Sequence, residues 1–370
     1  MLFGSLPVTA STALPPPEPG TPGAALAALV MASAAGAAAF DDLLQTCKRG
    51  RAHAGGFPFG NPVSIERRHV PIVAAQQYWA AAKTDGIRVA IGFCGDNEAC
   101  GVSVTEKPSN QTQTPRQAII RTRAGVTRGL TLRAPAVLFK GTLLDAELAM
   151  QNETPVLLVF DVAMFGGVRC DRLPLHRRLE VIRDICAGIG PGVGAFVPMV
   201  PKDMVALWKW TAGAESHDGN VRIPTHDCPT DGVILTPENE PCADPGTAYS
   251  VFKVKPVHTL DLWFVDDALT FGNAGDMMAV ASLRPTVTLR GLHDIPRSVR
   301  GCVVEMAVDA VTDTEIILTA MGCRPDKTTP NNAECVWKTL ASAADVVTLA
   351  DVMHAYAAAA AAGTAAFTAS

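Results

Sequence analysis

The hydrophobic positions fall into two regimes. From Val63 to Lys255, short apolar runs of period two alternate with stretches of helical period, whereas from His258 to Arg324 only the short runs remain. A period of two sends successive side chains to opposite faces of a strand, so each run predicts a sheet with one apolar face. In Gly86–Ile91 the residues Ile87, Val89 and Ile91 share one face and Arg88 points the other way. In Gly141–Leu148, Leu144, Ala146 and Leu148 pack on one side and present Asp145 and Glu147 together on the other. Val156–Val162 is a nearly continuous β run ending in Phe160 and Asp161, and Val251–Pro256 separates Phe252 and Val254 from Lys253 and Lys255. Leu175–Ala187 and Lys202–Thr211 have helical spacing, so residues 61–256 are predicted to form an α+β domain.

The second regime predicts strands at Thr259–Val265, Ala268–Phe271, Met277–Leu283, Val287–Leu292, Cys302–Val308 and Glu315–Ala320, separated by Asp, Gly, Asn and Pro. Residues 257–330 therefore read as a small all-β domain. Asn331 or Asn332 offers an N-cap for a helix over 331–356, along which Val336, Leu340 and Val347 recur. Residues 1–60, rich in Ala, Pro and Gly, and the alanine tail 357–370 read as low-complexity flanks outside the fold. The apolar run Ala24–Phe40 falls short of a membrane span, has no basic residue before it and starts among prolines, so no leader, anchor or membrane partner is expected.

Composition narrows the classes. A chain of 370 residues with 48% hydrophobic and 18% charged residues has room for two folded domains. A net charge of −5 argues against a protein that coats nucleic acid. Local charge differs: Arg116, Arg121, Arg123, Arg128 and Arg133 lie in one segment that suits RNA or triphosphate, or else a solvated strand face. The ten cysteines include no Cys-x-x-Cys pair, so neither a zinc ribbon nor a small-domain disulfide framework is indicated, and a reducing compartment fits best.

The candidate chemistry centres on Lys83. It follows Tyr78, Trp79 and three alanines and stands beside Asp85, Gly86 and Arg88, with Gly86 supplying a turn between two strands. A lysine amine attacks only when unprotonated, and desolvation with a neighbouring cation such as Arg88 lowers its pKa. The bland alternative is a hairpin with a solvated lysine. Asp145 and Glu147 line the same cleft, Phe160 suits stacking on a base, and Lys253 with Lys255 makes a phosphate clamp.

In their order these blocks resemble the covalent nucleotidyltransferase superfamily of ATP-dependent ligases and mRNA capping guanylyltransferases, and are most similar to the capping enzymes. Lys83-Thr84-Asp85-Gly86-Ile87-Arg88 fits the first motif of that family, Leu138–Leu148 the third, and Arg324-Pro325-Asp326-Lys327-Thr328-Thr329-Pro330-Asn331 the sixth. Ala146 stands where glycine is usual, Gly322 where an additional arginine is common, and a tryptophan expected shortly before is absent. The resemblance runs from about Asn61 to about Leu349. It implies a nucleotidyltransferase domain of the DNA-ligase or ATP-grasp-like kind, followed by a closed OB-fold barrel acting as a lid.

It also implies a mechanism. Lys83 attacks the α-phosphate of GTP, and the resulting lysyl–GMP passes to the 5′-diphosphate end of RNA to form a cap. Lys253, Lys255 and Arg88 stabilise the phosphates with Mg2+ or Mn2+, for which Asp231 and Glu147 are the candidate carboxylates. Glu147 alternatively contacts the ribose beside Arg123, Phe160 stacks on guanine, and Lys202 donates to its O6. Arg324, Asp326 and Lys327 meet the β- and γ-phosphates from the lid. With no Cys-x-x-x-x-x-Arg loop and no glycine-rich methyl-donor site in the first sixty residues, the triphosphatase and cap methyltransferase are expected as separate partners, alongside RNA polymerase. The expected location is the nucleus, or host cytoplasm for a viral chain. The competing functions are an ATP-dependent polynucleotide ligase and a non-catalytic RNA-end-binding relative.

Overall fold

The computed structural model describes residues 18–47, 57–95, 115–190, 197–208, 223–242, 245–265, 268–273, 275–292, 301–324, 327 and 329–362. The chain divides into two bodies, one made of residues 19–256 with 345–370 and the other centred on residues 257–344.

Two sheets build the first body. The larger contains β1 (Val30–Met31), β4 (Gly86–Cys94), β5 (Pro115–Thr122), β6 (Thr127–Arg133), β7 (Lys140–Gln151), β8 (Thr154–Phe165), β9 (Val168–Arg169) and β10 (Met199–Pro201). Its order is β1-β6-β5-β4-β7-β8-β10, with β9 hung on β8, and β10 lies parallel to β8 while the other pairs are antiparallel. Both faces are covered. Val89, Ile91, Leu144 and Leu157 pack beneath α4 (Leu175–Gly188) through Leu179, Ile182 and Ile185. On the other face Ala90, Ile119 and Leu143 meet α2 (Ala34–Cys47).

That second contact corrects the reading of residues 1–60 as lying wholly outside the fold. Within the alanine run, Phe40, Leu43, Leu44 and Cys47 recur at helical spacing and are all buried. Alanine is the strongest helix former, so it supplies the helix while these four supply its apolar stripe. The Phe40 ring occupies the space a Cβ on Gly92 would need, 2.2 Å from its ideal position. Ahead of it α1 (Pro22–Ala28), capped by the Thr21 hydroxyl, buries Leu26. Among the described residues no helix is long and apolar enough to cross a membrane.

The smaller sheet runs β11-β3-β12-β13-β2, from β2 (Gly60–Ser64), β3 (Tyr78–Thr84), β11 (Val205–Ala206), β12 (Thr230–Pro237) and β13 (Gly246–Val254). Tyr78, Leu235, Phe252 and Val254 bury their side chains against α3 (Val70–Ala74) and the last helix, α6 (Leu349–Ala361). The Tyr356 hydroxyl closes that contact by donating to the Gln76 carbonyl at 3.1 Å.

The second body is a six-stranded sheet, ordered β16-β15-β14-β18-β19-β17. Its strands are β14 (His258–Val265), β15 (Ala268–Asn273), β16 (Asp276–Ala279), β17 (Thr286–Arg290), β18 (Cys302–Val311) and β19 (Glu315–Cys323). All six fall on the predicted runs. Among the described residues β16 and β17 do not pair, so the expected closed barrel is instead a curled half-barrel sheet of OB type. α5 (Ala333–Ala344) caps its core with Val336 and Leu340, and Asn332 accepts from the Cys335 backbone N–H at 2.8 Å.

The single helix expected over 331–356 is two. Thr348 and Asp351 form a capping box that starts a new helix, leaving Val347 in the connection. That helix continues to Ala361, past the expected start of the low-complexity tail at residue 357.

Candidate active site

Lys83 lies near the end of β3, and the chain then crosses to the larger sheet, where β4 begins at Gly86. The two strands are not a hairpin. Gly86 serves a close approach rather than a turn, because a Cβ there would sit 2.5 Å from the Leu148 carbonyl oxygen on β7. On the other side of β3, β12 carries a register shift between Thr230 and Val233. Gly232 within it has φ +149, and its Cβ would lie 2.2 Å from the Val254 carbonyl, so only glycine fits. Asp231 emerges from this irregularity with Oδ1 2.6 Å from Lys83 Nζ and Oδ2 2.6 Å from Lys255 Nζ. Burial pushes the Asp231 carboxyl up, but hydrogen bonds from Lys255 and Lys83 outweigh it and hold the group below its usual range.

Lys253 precedes Lys255 by two and pairs in register with Ile234, while Phe252 and Val254 are buried behind. The predicted division of that strand is therefore observed.

Arg88 stands elsewhere than expected. Instead of serving as the cation beside Lys83, it donates to Asp145 through Nε at 3.0 Å and Nη2 at 2.5 Å, and to the Gly60 carbonyl at 2.9 Å. Its guanidinium carbon lies 5.4 Å from the Phe57 ring centroid and 5.5 Å from that of Phe160. Burial lifts the Asp145 carboxyl to about 6 against the pull of Arg88. Burial dominates and raises Glu147 to about 7, against the fields of cations that include Lys202, Arg88 and Lys83. Lys202 is displaced the other way, lowered by burial to about 8, with Glu147 supporting its charge and Lys83 opposing it.

Lys202 is not on a helix. It directly follows β10, its backbone N–H bonded to the Val159 carbonyl at 2.7 Å, and Val205–Ala206 next to it is a strand. This edge position brings Nζ to 5.5 Å from the Phe160 ring centroid. Phe160 itself is the extra residue of a β-bulge: Asp145 pairs with Asp161 and Ala146 with Val159, leaving Phe160 unmatched. Arg123 occupies the exposed turn after β5, where it feels the Arg88 cation and the Glu147 carboxylate. Ala146, in place of the usual glycine, turns its methyl into the core opposite Val89 and away from this cleft.

The structure thus gathers Lys83, Arg88, Arg123, Glu147, Phe160, Lys202, Asp231 and Lys255. Among the described residues no group of three or more His, Cys, Asp or Glu side chains is arranged to hold a metal ion. The arginine-rich segment does not form one patch. Arg121 pairs with Asp41 of α2 at 2.5 Å and lies over Phe40, while Arg116 lies over Phe139. Sequence reasoning missed Arg178, which is fully buried and binds Asp161 through two nitrogens at 2.7 and 3.2 Å. The available signal was its place on the apolar stripe Leu175, Leu179, Ile182.

In the second body Arg324 Nη1 is 3.3 Å from Asp261 Oδ1 and 3.4 Å from Glu305 Oε2, and Lys327 donates to Asp261 Oδ2. Asn331 fixes Asp261 by exchanging two bonds with its backbone, at 2.7 and 2.9 Å. Asp326 lies outside the described residues.

The first body is thus an α+β domain whose strands bring a lysine, a carboxylate and further cations together, and an OB-type sheet follows it in the chain. Residues 37–189 match the family model of the mRNA capping enzyme, catalytic domain. The match begins within α2, earlier than the expected start at Asn61, and takes in Lys83, Arg88, Arg123, Glu147 and Phe160. Similar solved structures include the ligase domain from M. tuberculosis LigD, at 15% identity over 72% of this chain and 93% of that chain, with a TM-score of 0.32. Mycobacterial DNA ligase D complexed with ATP is 13% identical over 74% and 95%, with a TM-score of 0.36.

Proposed function

We propose that this protein is an mRNA guanylyltransferase that moves GMP from GTP, through lysyl–GMP, to the 5′-diphosphate end of RNA. The observation that carries the reading is the pair of ammonium groups, Lys83 and Lys255, held 2.6 Å from the two oxygens of Asp231. Once its ammonium has lost a proton to solvent, the Lys83 amine forms a bond to the α-phosphorus as the bond to the β-phosphate oxygen breaks, and pyrophosphate leaves. Splitting the transfer in two is what covalent catalysis offers. Asp231 orients the amine. Lys255 and Lys253 meet charge on the phosphoryl oxygens, in a step that depends on positioning and electrostatics, while Arg88 stays on Asp145.

A magnesium or manganese ion fits this site through Asp231. That carboxylate is partly exposed and held ionised, a hard oxygen donor of the sort that binds Mg2+ jointly with substrate phosphates. When bound, the ion supplies charge neutralisation on those phosphates. Glu147 fits less well as a ligand, since burial favours its neutral form, and we assign it with Arg123 to the ribose. Phe160 stacks on the base, and Lys202 beside it donates to guanine O6. Arg324, with Lys327 and Asp326, acts on the β- and γ-phosphates. The expected location is the nucleus, or host cytoplasm for a viral chain.

Mass spectrometry after incubation with GTP and magnesium tests the reading: GMP should appear on the peptide containing Lys83. An AMP adduct formed from ATP, with none from GTP, would favour an ATP-dependent polynucleotide ligase. No adduct from either nucleotide would favour a non-catalytic RNA-end-binding protein.

A further inference from the structure

Arg178 has a geometry that the proposed chemistry does not use. It stands one turn into α4, is wholly buried, and donates to the Leu173 carbonyl at 2.5 Å as well as to both oxygens of Asp161. Asp161 Oδ1 also accepts the Val162 backbone N–H at 2.8 Å. The clamp therefore seizes the strand at the bulge, one residue beyond Phe160, the side chain that meets both Arg88 and Lys202. A bulge adds an unpaired residue whose direction the ladder does not fix, so something outside the ladder must fix it. Asp161 faces Asp145 across the strands, and the arginine also neutralises a carboxylate that would otherwise repel the partner of Arg88.

We propose that Arg178 is a positioning residue for the nucleotide base: by clamping Asp161 it locks the bulge and sets the direction of the Phe160 ring. This rests on the reading of Phe160 as the stacking platform. A role confined to stability would lower the melting temperature and leave nucleotide affinity alone; a positioning role raises the KM for the nucleotide and spares kcat.

The experiment compares wild type, Arg178→Lys, Arg178→Met and the double variant Arg178→Met with Asp161→Asn in adduct formation. The double variant leaves no uncompensated buried charge and should regain most of the melting temperature lost by Arg178→Met. Its KM for GTP should nevertheless stay raised about tenfold, a modest share of what misplaced binding groups can cost, with kcat within about twofold of wild type. Arg178→Lys, which keeps the charge but not the fork, should fall between. Ribose 5-triphosphate, which lacks a base, should bind wild type and the double variant equally. Recovery of KM together with stability in the double variant would overturn the proposal. So would an equal loss of affinity for the base-free triphosphate. If wild type is labelled by ATP and not GTP, the guanylyl reading fails, and the same comparison made with ATP still decides the role of Arg178. If neither labels, it is made on equilibrium nucleotide binding, and absence of binding overturns both ideas.

Discussion

Asp231 and Asp261 each hold two cations, Lys83 with Lys255 in the first body and Arg324 with Lys327 in the second, but their surroundings are reversed. The Asp231 side chain is 37% exposed, more than the 25% and 23% of its lysines. That of Asp261 is 11% exposed, less than the 29% and 37% of Arg324 and Lys327. Asp231 sits on a strand irregularity made possible by Gly232, whereas Asp261 lies within a regular strand and is held by Asn331. An exposed carboxylate can exchange its partners for a metal ion or water at small cost, while a buried one cannot give up its charge partners cheaply. The first arrangement suits the changing site of the proposed reaction; the second suits a fixed mount for two cations.

The largest expected effect falls on the first. Lys83→Met should reduce lysyl–GMP to background while changing stability by no more than about 1 kcal/mol, as for other partly exposed pairs. Labelled GTP with a melting curve measures both. Adduct formation that survived the substitution would remove the site at Asp231 from the chemistry altogether.

Next comes the mount. Arg324→Ala should slow adduct formation by about a hundredfold or more, as expected for removing a preorganised charge from a phosphoryl transfer, and should leave the fold intact because Lys327 still satisfies Asp261. Normal labelling in that variant would show that the cations on Asp261 have no part in the first step.

Exchanging the two carboxylates for amides sharpens the contrast. Asp231→Asn should cost about tenfold in adduct formation with little change in stability, since the lysines keep their solvent. Asp261→Asn should instead destabilise the second body by about 1–2 kcal/mol, less than the roughly 3–5 kcal/mol of a fully buried pair because its cations are partly exposed. The sign of the pH effect follows. The folded pKa of Asp231 is depressed, so its contribution is present above the unfolded value and is lost only as pH falls through the folded value. Asp231→Asn should remove that acid dependence. If both variants lost only stability, the distinction between a working carboxylate and a mount would fail.

Much of this contrast was legible in residues and spacing. Strand period places Asp145 with Glu147 and Lys253 with Lys255, and the runs between His258 and Arg324 mark all six strands of the second body. The partners were not legible, because they depend on register between distant strands: Lys255 reaches Asp231 only through the shifted pairing around β12. α2 was hidden because alanine dilutes the apolar stripe of Phe40, Leu43, Leu44 and Cys47. The helical spacing of Lys202–Thr211 does not show that Pro201 pairs with Val159 in parallel, which carries Lys202 along the edge of the sheet and not into a helix.

The smallest expected effect is a displacement in pH. Glu147, raised to about 7, and Lys202, lowered to about 8, sit deeply buried within reach of each other's charge, with Lys83, Arg88 and Asp145 around them. Burial disfavours the charged form of each, raising the Glu147 carboxyl and lowering the Lys202 ammonium, while the charge of each supports that of the other. Lys202 is the largest charge holding the Glu147 pKa down, so Lys202→Met should raise it further and move the acid limb of the rate profile up by about one pH unit. Glu147→Gln removes the charge that supports Lys202 and should move the alkaline limb down. Opposite shifts from the two variants would extend the comparison to a third arrangement, in which a carboxylate and a cation tune each other by burial rather than by a shared clamp. Identical profiles in wild type and both variants would mean that neither group titrates during the rate-limiting step, and would leave Asp231 as the carboxylate that sets the pH dependence of the site.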